Sequence, residues 1–104
     1  MVTEDELRAR FVREMLDWEV RESEAKQRHS RILTLLEEER TQMVKGLLRC
    51  GVSLNEAPGL KGLDGLTEEY AMQFQHELRQ LQEERDVIEL EFRRQLSMIE
   101  EENE

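Results

Sequence analysis

The chain has 104 residues, 38% of them hydrophobic, 38% charged and 5% aromatic, with 25 acidic against 15 basic residues and a formal net charge of -10. That length suffices for one small domain, and the composition leaves too little apolar matter for a thick globular core; it is the composition of long helices that bury one narrow seam. The negative charge repels phosphate backbones and anionic lipid surfaces, so nucleic acid and membrane are excluded as expected partners and other proteins remain.

Thr3 followed by Glu4, Asp5 and Glu6 predicts an N-cap with a glutamate at the third helical position. Helix 1 is expected over about residues 4–49, because Gly46 is its only glycine and Cys50-Gly51 supplies a stop. A helix of that size is roughly 65–70 Å long.

Gly51 to Gly65 holds the chain's only proline and most of its glycines, and is expected to be a loop with one turn at Ser53-Leu54-Asn55-Glu56. Thr67-Glu68-Glu69 reads as a second N-cap, starting a helix 2 that runs over about 67–103. Its end carries Glu100, Glu101, Glu102 and Glu104, where the helix dipole favours cations, and no Gly or Pro follows. On that ground the chain is expected to be a fragment of a longer protein.

Helix 2 shows a heptad stripe: Ala71, Leu78, Arg85, Phe92 and Ile99 on one position, Phe74, Leu81, Ile88 and Gln95 on the other. Helix 1 repeats the spacing less regularly through Phe11, Met15, Trp18, Glu22, Ala25, His29, Ile32, Leu36, Glu39 and Met43. The expected fold is all-α, an antiparallel helical hairpin in which facing residue numbers sum to about 117. Met43 then faces Phe74, Leu36 faces Leu81, Ile32 faces Arg85, Ala25 faces Phe92, Glu22 faces Gln95 and Trp18 faces Ile99.

This alignment leaves Leu7, Phe11, Val12 and Met15 overhanging, while Leu33, Leu35, Val44, Leu47 and Leu48 widen the apolar face beyond what one helix covers. Self-association is therefore expected, as a homodimer forming a four-helix bundle or as a parallel coiled-coil dimer. The residues expected to bind protein or form the dimer are Leu7, Phe11, Met15, Trp18, Leu33, Leu36, Val44, Leu47, Phe74, Leu78, Leu81, Ile88, Phe92 and Ile99.

Chemistry is not expected. The glycine segment has no preceding strand, and Lys61 is not followed by Ser or Thr, so it does not read as a phosphate cradle. Neither His29 nor His76 has a glutamate three residues before it, as a bundle metal site requires; His29 is expected to be partly buried and hydrogen-bonded, His76 solvated. Cys50 has no base close in sequence and no partner for an internal disulfide. No catalytic residue, cofactor, metal or small-molecule substrate is expected. With no signal-type N-terminus and no apolar run of about 18 residues, membrane insertion is not expected and a cytoplasmic or nuclear location is.

The function expected is thus a non-enzymatic coiled-coil oligomerisation and protein-docking module of an intracellular scaffold or tether, such as those of the cytoskeleton. The alternative is an effector module that binds a folded regulator, such as a small GTPase, through an exposed helix face.

Overall fold

The computed structural model describes residues 2–103. Among them are two α-helices and one short 3₁₀ turn, with no strand: α1 spans Glu4–Arg49, the turn Leu54–Glu56, and α2 Pro58–Glu102. The helices pack antiparallel, which makes the helical hairpin the fold. Glu104 of the acidic terminus lies outside the described residues.

The start of α1 is fixed by a reciprocal cap. The Glu6 amide donates to Thr3 Oγ1 at 3.2 Å, and the Thr3 amide donates to Glu6 Oε2 at 3.5 Å. Two amides that would lack helical partners are thereby satisfied, a contribution of about 1 kcal/mol. The end of α1 is fixed by Gly51 at φ 71°, where the Val52 amide reaches back to the Leu47 carbonyl at 3.0 Å and the Gly51 amide to Leu48 at 3.2 Å. This paired closure needs a left-handed residue, which glycine adopts without the Cβ clash that other residues suffer.

The connection is shorter than the sequence implies. α2 begins at Pro58, so the glycine-rich stretch expected to be loop up to residue 65 is mostly helix. Thr67 is not a cap but lies inside α2, its hydroxyl donating to the Leu63 carbonyl at 2.9 Å. The proline does not oppose this, because a first-turn residue has no amide bond to lose. Gly59, Gly62 and Gly65 each cost about 1 kcal/mol relative to alanine in a helix. Packing offsets that cost: Ala57 and Leu60 are buried, and burying one leucine contributes about 2 kcal/mol.

Contacts group the chain into two compact units, one formed by the residues up to Glu24 and from Glu77 onward, the other by Ala25–His76. In the first, Phe11 stacks on Phe92 with ring centroids 4.2 Å apart, and Trp18 Nε1 donates to the Leu81 carbonyl at 2.6 Å. Arg10 bonds to Gln95, and Arg21 pairs with Glu84 at 2.6 Å. In the second, His29 stacks on Phe74 at 3.6 Å and Arg40 pairs with Asp64 at 2.9 Å.

These pairs correct the expected register. Residues 11 with 92, and 29 with 74, each sum to 103, not 117. Phe74 therefore meets His29 in place of Met43, Gln95 meets Arg10 in place of Glu22, and Trp18 meets Leu81 and Arg85 in place of Ile99. Arg85, expected to face Ile32, lies 5.0 Å over the Trp18 ring and pairs with Glu89 at 3.2 Å. The shift is fourteen residues, two whole heptads, so it keeps the same seam positions while exchanging every partner. Early initiation of α2 and the short connection draw the helices into this lower register.

Candidate docking surfaces

The lower register removes the overhang. Leu7, expected to be uncovered, is 1% exposed, and Phe11 is held in the ring stack with Phe92. Only a small cleft of about 20 Å³ remains among Leu7, Phe11, Ile88 and Phe92, room for about one water. Met15 is partly buried, and only Val12 of the expected overhang stays open.

The other residues expected to bind protein are also placed by the hairpin. Trp18 and Leu81 are buried; Leu33, Leu36, Val44, Leu47, Phe74, Leu78, Ile88, Phe92 and Ile99 are partly buried. Within the first unit the structure brings Trp18 to Leu81 and Phe11 to Phe92. Glu39, counted in the helix 1 seam, is exposed.

What remains open lies off the seam. On α1 in the first unit, Val12, Leu16 and Val20 follow one another at four-residue spacing, each more than half exposed. On α2 of the same unit, Val87 and Leu90 are 64% and 66% exposed. The second unit exposes Leu35 and Leu48 on α1 and Leu66 and Met72 on α2. Leu16, Val20, Val87 and Leu90 are absent from the set expected from sequence. The usable signal was a second apolar run at i, i+4, i+8 beside the heptad seam.

At the tip of the second unit an apolar groove of about 470 Å³ runs between the end of α1 and the start of α2, walled by Met43, Leu47, Val52, Ala57 and Leu60. Cys50 also lines it and is exposed. A shallower groove of about 630 Å³ lies in the first unit among Arg21, Gln80, Glu84, Val87 and Ile88. The tip groove has Glu56 as its one charged wall residue, whereas in the shallower groove Arg21 and Glu84 pair with each other.

His29 is partly buried, as expected, but its Nδ1 lacks the expected hydrogen bond. Its ring lies parallel to Phe74 and 5.3 Å from Tyr70, and its buried Nδ1 has no hydrogen-bond partner. Parallel stacking on Phe74 holds this imidazole in the seam. His76 is exposed. No group of three or more His, Cys, Asp or Glu side chains is arranged to hold a metal ion among the described residues. Among those residues too, no helix is long and apolar enough to cross a membrane.

Compared with known proteins, the chain matches no family, no curated protein and no solved structure. The surfaces themselves therefore carry the functional argument.

Proposed function

We propose that this hairpin is a non-enzymatic self-association and protein-docking module of an intracellular scaffold or tether in the cytoplasm. The observation that carries the reading is the off-seam apolar strip of Val12, Leu16 and Val20 with Val87 and Leu90 on the other helix. Isolated exposed leucines are ordinary, but a helical strip that persists after the seam is filled is what a partner helix covers. The seam supplies the rigid support, and the strips supply the contact, as a homodimer packing side by side into a four-helix bundle.

Light scattering of the purified chain at about 100 μM, far above a micromolar Kd, tests this. The parent is expected to have dimer mass, and Leu16→Glu combined with Leu90→Glu is expected to give monomer with helix content kept, because both side chains are already solvated in the single hairpin. A parent that stays monomeric overturns self-association and favours the effector reading, in which one strip meets a folded regulator such as a small GTPase. A double variant that stays dimeric removes these strips from the contact.

A further inference from the structure

Four hydroxyl-bearing residues of the chain, Thr3, Thr34, Ser53 and Ser97, have a glutamate three residues on. A hydroxyl with a carboxylate at that spacing is what a protein kinase with a cation-lined substrate cleft reads: the acid pairs with the cleft while the hydroxyl meets the nucleotide. Phosphoryl transfer also needs the hydroxyl in line with the terminal phosphate, and such a cleft takes its substrate as extended chain, so a helix withholds a hydroxyl whatever its neighbours.

Three of the four fail that condition. Thr34 lies inside α1, its hydroxyl donating to the Ser30 carbonyl at 2.9 Å, and Ser97 lies inside α2. Thr3 precedes α1, but its Oγ1 accepts the Glu6 amide at 3.2 Å and the Glu6 carboxylate is folded back on the Thr3 amide. There the cap engages both the hydroxyl and the acid.

Ser53 meets the condition. It stands between the two helices with extended backbone, φ -67° and ψ 131°, is exposed, and its side chain makes no capping bond. Glu56, the acid of its motif, is exposed too. The turn that separates them is closed by the Glu56 amide on the Ser53 carbonyl at 3.2 Å and the Ala57 amide on the Leu54 carbonyl at 3.4 Å. A single 3₁₀ turn of this kind is weakly held and is readily drawn out. The flanking residues narrow the class of enzyme. Gly51 and Cys50 stand two and three places before Ser53, and Leu54 follows it, so a base-directed or proline-directed kinase finds no marker there.

We propose that Ser53 is a phosphorylation site for an acid-directed serine kinase, with a nucleoside triphosphate as phosphoryl donor. Ser53 Oγ attacks the terminal phosphorus and the bond to the bridging oxygen breaks. The nucleoside diphosphate leaves with that electron pair, and the hydroxyl proton passes to the catalytic carboxylate of the kinase. The phosphate adds a charge of about -1.5 to -2 at pH 7. In sequence it falls between Val52 and Glu56, both on the wall of the tip groove, so the modification makes the edge of that groove more acidic and leaves both helices intact. The site is independent of the self-association reading, whose strips lie in the first unit.

The test is incubation of the whole chain with a purified acid-directed serine kinase and magnesium ATP, followed by intact mass and fragment mapping. One phosphoryl group per chain is expected, on Ser53, with the far-UV circular dichroism unchanged. Ser53→Ala is expected to abolish it, and Glu56→Gln to slow it at least about tenfold, the worth of one charge-assisted contact with the cleft. Short peptides around Thr34 and Ser97 are expected to be phosphorylated, whereas the same hydroxyls in the folded chain are not. Phosphate that reaches Thr3, Thr34 or Ser97 of the whole chain as fast as Ser53 overturns the proposal, as does a whole chain that stays unmodified or a Glu56→Gln variant that keeps the parent rate. Peptides that stay unmodified at Thr34 and Ser97 also refute it, because the fold is then not what selects Ser53.

Discussion

Replacing Gly62 and Gly65 with alanine puts the early start of α2 to its most direct test. Among the described residues the only positive φ is at Gly51, so both glycines have ordinary helical backbone, and an added Cβ at either meets nothing within 4 Å. Alanine is favoured over glycine in a helix interior by about 0.8–1.0 kcal/mol, so the double substitution is expected to stabilise the chain by about 1.6–2 kcal/mol. At roughly 4–5 °C per kcal/mol for a domain of this size, the melting midpoint rises by about 7–10 °C. Far-UV circular dichroism melts at one fixed protein concentration measure it, since association moves the midpoint by mass action. Two controls bracket the result. Gly46→Ala, in the open interior of α1, is expected to stabilise by about half as much as the double substitution. Gly51→Ala is expected to destabilise by about 1 kcal/mol, because its left-handed φ strains any Cβ. If Gly46→Ala raises the midpoint while the Gly62/Gly65 pair leaves it unchanged or lowers it, residues 58–66 are not helical and the reasoning behind the lower register fails.

The register also predicts cross-links. In a Cys50→Ser background, cysteines at Phe11 and Phe92 are expected to oxidise within one chain, and cysteines at Met43 and Phe74 are not; the reverse result, read on a non-reducing gel, restores the higher register. Two ring substitutions are expected to move stability in opposite directions in urea melts. Trp18→Phe removes the indole donor to Leu81 and weakens the contact with Arg85, at a cost of about 2 kcal/mol. His29→Phe replaces a buried nitrogen that has no partner with carbon in the same stack, and stabilises by about 1 kcal/mol. Loss of stability in the second variant means that Nδ1 has a partner in solution.

The sequence by itself determined the class of fold. A reciprocal cap at Thr3 and Glu6, a glycine stop at Gly51, and apolar residues at alternating three- and four-residue spacing are local features, and each is formed by residues a turn or so apart. Such features are read without knowing what they pack against. The positions that make the seam are likewise legible, because heptad phase belongs to one helix alone.

What only the tertiary structure decided is which turn of one helix meets which turn of the other. A slide of two heptads leaves every seam position on the seam, so periodicity cannot choose between sums of 103 and 117; side-chain fit, the Trp18–Leu81 bond and the ring stacks choose. The same long-range packing turned the glycine-rich segment into helix, since propensity opposes a helix there by a few kcal/mol while the burial of Ala57 and Leu60 against the rest of the second unit offsets it. It also reassigned the candidate surface. Leu7 entered the core and Phe11 the seam because the lower register brings residues 88–92 beside them, and the exposed strip passed to Leu16, Val20, Val87 and Leu90, side chains whose exposure depends on a partner helix that the local sequence does not contain.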